Sequence, residues 1–197
     1  YLGYGDLNGD GKVDLAVVNP ERARIEILYR RKPGEKVSRV RPTTLDRWEP
    51  DLEDAPYLRE TVPYDGEVAN LALGDLDLDG RSDLIYGGAG EGVLVRFREK
   101  DNTWSETLEL DVNDPVAGAR SLTVRDLDGD GRVDLATANP ATDNILVLLQ
   151  DSQGRFTNRQ SELSMEGGLD GLRSLATGDI DGDGRLDLVA AGGFSDD

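Results

Sequence analysis

Apolar and polar residues alternate along this chain in short runs, and the runs recur as a set. Leu2 and Tyr4, Leu71 and Leu73, Leu122 and Val124, and Leu175 and Thr177 are apolar or β-favouring positions two apart. That is the period of a strand with one buried face. About ten polar residues later comes a more continuous apolar run: VDLAVV at 13–18, SDLIYG at 82–87, VDLATA at 133–138 and LDLVAA at 186–191. Such runs suit strands covered on both faces. Turn signals follow at Asn19-Pro20, Gly87-Gly88, Asn139-Pro140 and Gly192-Gly193. A third strand is predicted over 24–30, 92–98 and 144–150, and a more polar fourth around 57–63, 103–110 and 155–163. Polarity and Pro63 place the fourth at an outer edge. No capped amphipathic helix longer than two turns is predicted.

Between the first and second strands of each set lies the same loop. It reads DLNGDGKVDL from Asp6, DLDLDGRSDL from Asp75, DLDGDGRVDL from Asp126 and DIDGDGRLDL from Asp179. Side-chain oxygens stand at positions 1, 3, 5 and 9, with glycine at position 6. Calcium is a hard cation that takes about six to eight oxygen ligands at roughly 2.3–2.6 Å. Alternate side chains of a tightly wound loop can converge on one ion. Gly11, Gly80, Gly131 and Gly184 allow the sharp turn. The carbonyl at position 7 is then free to bind, with its long side chain in solvent, and the position-9 Asp closes the shell. Two carboxylates about 4 Å apart repel by roughly 4 kcal/mol at an effective dielectric of 20. Four in one short loop call for a cation. Ordinary Asp-Gly hairpin turns would account for one such loop, but not for four with their oxygens in register. An EF-hand is excluded: it needs Glu at position 12 and flanking helices, whereas position 12 is Val17, Tyr86, Thr137 or Ala190 and the flanks are β-like.

Composition sharpens this picture. The formal net charge is -18. Fifteen of the 40 acids lie in the four loops, and the rest nearly balance the 22 Lys and Arg. The acidity is therefore mostly loop charge, and it opposes binding to nucleic-acid phosphates. With no Cys and no His, disulfides, thiolate sites, the usual zinc sites and Ser-His-Asp chemistry are excluded. No run of eighteen apolar residues exists to span a membrane. No signal peptide is visible; the chain opens within an expected strand, so any export signal would lie upstream.

The loops start 69, 51 and 53 residues apart. A period near fifty with four short strands describes a propeller blade. The expected fold is all-β: one propeller segment over residues 1–197, built from four-stranded antiparallel blades, with three blades and the inner half of a fourth. It is expected to be part of a larger propeller. The excess in the first period falls at 31–56, between the third and fourth strands, and carries Trp48. It is expected at the loop end of the blade as a Pro-stiffened excursion packing its Trp on a neighbouring blade, with a binding loop as the alternative.

With LALGDL leading into the loop and DLAVVN following it, the chain resembles the FG-GAP and VCBS-type repeats, the calcium-loop propeller repeats of integrin α subunits, some lectins and many bacterial surface proteins. The resemblance covers essentially the whole chain. It implies up to four calcium ions. The ligands implied are Asp6, Asn8, Asp10, Lys12 (carbonyl) and Asp14 in the first loop, and Asp75, Asp77, Asp79, Arg81 (carbonyl) and Asp83 in the second. In the third they are Asp126, Asp128, Asp130, Arg132 (carbonyl) and Asp134, and in the fourth Asp179, Asp181, Asp183, Arg185 (carbonyl) and Asp187. There are departures from the family pattern. The Phe-Gly…Gly-Ala-Pro signature is absent, Asn8 leaves its site one charge poorer, and Leu78 stands where a tight turn prefers Gly or Asn.

The function expected is non-enzymatic: a calcium-stabilised recognition or adhesion scaffold for a protein or glycan, outside the cell, at its surface or in the periplasm. The face opposite the calcium loops would bind the partner, with Arg22, Tyr64, Asp65, Glu91, Arg120, Asp143 and Arg173 as candidates. The alternatives are the propeller domain of a carbohydrate-active enzyme such as a polysaccharide lyase, with Tyr, Lys or Arg serving as base, and a docking subunit of a large surface assembly that makes contact through the 31–56 insertion.

Overall fold

A computed structural model describes residues 1–31, 56–87, 92–110, 121–139, 144–158 and 172–192. They form three antiparallel four-stranded sheets and a final hairpin. The first sheet is β1 (Leu2–Gly5), β2 (Asp14–Asn19), β3 (Arg24–Arg30) and β4 (Tyr57–Pro63). The second is β5 (Asn70–Gly74), β6 (Asp83–Gly87), β7 (Val93–Arg96) and β8 (Leu108–Glu109). The third is β9 (Leu122–Arg125), β10 (Asp134–Asn139), β11 (Asn144–Gln150) and β12 (Phe156–Asn158). The hairpin is β13 (Leu172–Gly178) with β14 (Asp187–Gly192). Spatial order equals chain order in every sheet, so each is a simple meander. The only helical turn among the described residues is a 3-10 turn at Pro20–Arg22, where the Asn19-Pro20 signal predicts a turn.

The sheets stack face to face, and the apolar periodicity shows why. Ile25, Ile27 and Val62 of the first sheet meet Leu71, Leu73, Leu84 and Tyr86 of the second. Neighbouring residues on the same strands point the other way. Ile85, Val93 and Val95 meet Val124, Leu135, Leu146 and Leu148 of the third sheet. Ala136 and Ile145 then meet Leu175 of the hairpin. Burying each such Leu or Ile contributes roughly 1.5–3 kcal/mol. All five residues of β6 are buried, which is the two-sided burial that its continuous apolar run predicts. First strands lie side by side: β1 on β5, β5 on β9 and β9 on β13. The approach is close. A Cβ on Gly74 would stand 2.4 Å from Val124 Cγ1, so that crossing requires glycine.

Two expectations need correction. Leu2 and Tyr4 are not buried; they are 60% and 61% exposed. Their counterparts Leu71 and Leu73 pack on the preceding sheet, and β1 has no preceding sheet among the described residues. The fourth strand expected over 103–110 shrinks to Leu108–Glu109, with a single bridge from Arg98 to Trp104 ahead of it. The described sheets form an open stack and do not close into a ring. Residues 32–55, including Trp48, lie outside the described residues. The ends of that insertion do meet: the Arg31 N–H donates to the Pro56 carbonyl at 2.9 Å.

Candidate metal centres

Each loop is wound around its first aspartate. Asp6 Oδ1 accepts the N–H groups of Asn8, Gly9 and Asp10 at 3.3, 2.8 and 3.1 Å, and its Oδ2 accepts that of Gly11 at 2.7 Å. Asp75, Asp126 and Asp179 take the corresponding Gly80, Gly131 and Gly184 N–H groups at 2.8, 2.9 and 2.9 Å. This winding needs a left-handed residue at position 4. Gly9, Gly129 and Gly182 supply it at φ +74, +81 and +80, and Leu78 is forced to +59. The second loop therefore keeps the shared course at the expense of local strain.

The ninth aspartate does more than offer a ligand. Asp14, Asp83 and Asp134 are fully buried. Asp83 Oδ2 accepts the Leu76 N–H at 2.8 Å, and its Oδ1 accepts the Arg98 N–H at 2.8 Å. Asp134 likewise holds Leu127 and Gln150, and Asp14 holds Leu7 and Arg30. This side chain thus bolts the loop to the end of the third strand. Spacing alone marked it as a ligand and gave no sign of the bolt.

Winding and bolt together converge the carboxylates. One oxygen each from Asp75, Asp77 and Asp83 lies within 4.8 Å of the others, and the same holds for Asp126, Asp128 and Asp134, and for Asp179, Asp181 and Asp187. These are positions 1, 3 and 9. In the first loop Asn8 takes position 3 and accepts the Asp10 N–H at 2.9 Å, as Asp128 accepts that of Asp130 at 3.1 Å. Position 5 is not in these groups. Its carboxylate pairs with the side chain at position 7: Asp10 with Lys12 at 3.3 Å, Asp79 with Arg81 at 2.9 Å, and Asp130 with Arg132. The long position-7 side chains therefore fold back in these loops instead of reaching solvent. Arg132 also donates from Nε to the Gln150 carbonyl at 2.9 Å.

The electrostatics fit a cation. Burial raises the carboxyl of Asp83 to about 7, against the lowering effect of its two N–H partners, and nearby Asp77 and Asp75 add to the rise. Burial raises Asp14 and Asp134 in the same way. Burial and then Asp79 raise Asp77. Negative charge is crowded here, and the donors are all hard oxygens.

The matching stretches bracket these centres. A family model described as an FG-GAP-like repeat matches residues 75–137 and 126–190, each span running from the first Asp of one loop through the next loop and its following strand. The chain belongs to the FG-GAP-like repeat family. The first loop lies ahead of the matched residues, yet Asp6 accepts the Asp10 and Gly11 N–H groups, Asn8 that of Asp10, and Asp14 those of Leu7 and Arg30, as their counterparts do in the second and third loops. No curated protein matches the chain.

Away from the loops, the far-face candidates separate. Arg22 and Asp65 are exposed. Tyr64 is buried in the first core cluster, so it is a packing residue rather than a contact residue. Arg173 falls inside β13 and not in a loop. Glu91, Arg120 and Asp143 lie outside the described residues. Sequence reasoning missed a cluster between the first two sheets, in which the buried Arg98 joins Glu60, Tyr29 and Trp104.

Proposed function

We propose that this chain is a calcium-stabilised segment of an extracellular β-propeller, serving as a rigid recognition scaffold for a protein or glycan. The observation that carries the reading is the threefold recurrence of carboxylates from positions 1, 3 and 9 within 4.8 Å of one another. Calcium suits such a site. The donors are flexible carboxylates, there is no His or Cys to favour a softer metal, and magnesium demands a tighter octahedron.

Asp75, Asp77 and Asp83, their counterparts in the third and fourth loops, and Asp6, Asn8 and Asp14 would hold the ions. Asp10, Asp79 and Asp130, each paired through Oδ2 with the side chain at position 7, would join them from the other oxygen or by leaving that pair. The ion would neutralise the crowded charge and lock each hairpin to its third strand. Extracellular calcium is abundant enough for sites with dissociation constants of roughly 10⁻⁴–10⁻³ M. The propeller reading draws on the first strands, which lie side by side, as those of successive blades do. Loops at the end away from the ions are then free to vary with the partner, and exposed Arg22 and Asp65 lie among them. No helix among the described residues is long and apolar enough to cross a membrane.

The alternative of a carbohydrate-active enzyme gains nothing from Tyr29 and Arg98. They sit at the loop end, and burial, with Glu60, holds the Tyr29 hydroxyl protonated, the opposite of what a base requires.

Thermal unfolding tests the proposal. A site with a dissociation constant of about 0.2 mM contributes roughly 1.4 kcal/mol at about 2 mM calcium. The midpoint should therefore rise by several degrees between chelator and millimolar calcium, with magnesium giving much less. An unchanged midpoint, with no metal found by elemental analysis, overturns it.

A further inference from the structure

We propose that Gln150 is a positioning residue that couples the second and third cation sites, so that filling one tightens the other. This rests on the calcium reading above. Gln150 ends β11 and is buried, at 4% exposure. Its backbone N–H donates to Asp134 Oδ1 at 2.9 Å. Its side-chain Nε2 crosses to the second sheet and donates to the Leu76 carbonyl at 2.8 Å. On the other side of that residue, the Leu76 N–H donates to Asp83 Oδ2 at 2.8 Å. The path from the ninth aspartate of one loop to that of the next is therefore two backbone donors and one amide, with no water and no exposed atom required.

Both ends of this path are ligating carboxylates. A cation that fixes Asp83 fixes Leu76, and the Leu76 carbonyl orients the amide whose own backbone holds Asp134. Bonds in such a chain polarise one another. An adjustment of this path made for the first ion need not be made again for the second, which is positive coupling between sites. A purely structural role for Gln150 would raise stability but would leave each loop's affinity indifferent to the other's occupancy.

The test follows calcium titrations of the full chain by amide NMR. The N–H groups of Gly80, Gly131 and Gly184 each donate to the first aspartate of their own loop and so report the loops separately. Asp77→Ala removes a ligand from the second loop without touching the path. It should move the Gly131 midpoint to about fivefold higher calcium, the low end of usual site-to-site coupling. By linkage, Asp128→Ala should move the Gly80 midpoint by the same factor. In Gln150→Met, which keeps the volume and the backbone N–H but loses the amide donor, both effects should shrink below about twofold while the loops still fill. Gln150→Asn, too short to reach Leu76, replaces it if the methionine variant does not fold. The coupling is overturned if Asp77→Ala leaves Gly131 unmoved, or if the shift survives loss of the amide. If no loop glycine responds to calcium at all, the calcium reading itself falls, and the coupling falls with it.

Discussion

Arg98 Nη1 lies 3.2 Å from Glu60 Oε2, an ion pair across the seam between the first and second sheets. The guanidinium is also flanked by aromatic rings, with its Cζ 4.6 Å from the Trp104 centroid and 5.4 Å from that of Tyr29. Glu60 further accepts hydrogen bonds from Trp104 Nε1, at 3.0 Å, and from the Tyr29 hydroxyl. The Arg98 side chain is 3% exposed, and its Nε has no hydrogen-bond partner, so Glu60 is its main compensation. Removing one member of a buried pair strands the other. Because Glu60 keeps some contact with water, Glu60→Ala should cost about 3 kcal/mol, at the low end of the usual range. Glu60→Leu combined with Arg98→Met should cost far less. Urea unfolding of the three proteins decides it; a loss below about 1 kcal/mol in the single variant would make the pair a bystander.

Leu78 supplies a prediction of the opposite sign. It is exposed and sits at φ +59, where its counterparts are glycines. A left-handed leucine is strained by roughly 1–2 kcal/mol, and a glycine's extra freedom in the unfolded chain recovers part of that. Leu78→Gly should therefore stabilise the protein by about 0.5–1 kcal/mol. A higher urea midpoint with an unchanged slope is the expected signature.

The buried ninth aspartates give stability a pH dependence that calcium should erase. Burial lifts Asp83 to about 7, whereas in the unfolded chain it titrates near the ordinary carboxylate value of 3.8. Between those values the folded state holds a proton that the unfolded state does not. The resulting stability is present in full at low pH and is lost as pH rises through about 7. Asp14 and Asp134 act in the same direction. In chelator, the unfolding midpoint should fall from about pH 5.5 to pH 8. Asp83→Asn should lower the whole curve and flatten part of that slope. Saturating calcium, which binds the ionised form, should remove the slope.

The loops were legible in the sequence because their signal is chemical and repeats in register: four oxygens and a glycine at fixed spacing. The strands were legible because burial from both sides leaves continuous apolar runs such as LIYG at 84–87. What the sequence hid depends on neighbours. Leu2 and Tyr4 have the pattern of buried residues, but no sheet among the described residues lies over them. Tyr64 looks like a loop aromatic and is core, since it and Val68, both between β4 and β5, join the cluster shared by the first two sheets. The Arg98 cluster joins residues up to 75 positions apart, between Tyr29 and Trp104, with no local pattern to betray it. The role of Gln150 is invisible for the same reason, because its side-chain partner is Leu76.

The third and ninth aspartates of a loop should separate when mutated, since only one of them supports the fold in the absence of an ion. Asp134 is buried and accepts N–H groups on both oxygens, from Gln150 at 2.9 Å and Leu127 at 2.8 Å. In Asp134→Asn one of those oxygens becomes an NH₂ facing an N–H. One buried donor is then left unmatched, at a cost of about 1–3 kcal/mol. That loss should appear in chelator as fully as in calcium. Asp128 is exposed and accepts only the Asp130 N–H, at 3.1 Å. Asp128→Ala should change stability in chelator by less than about 0.5 kcal/mol, yet abolish the third loop's share of the calcium-dependent rise. Paired unfolding curves with and without calcium, for each variant, separate the two roles. If Asp128→Ala destabilises the chelated protein as much as Asp134→Asn does, both residues are structural and the third position is no dedicated ligand.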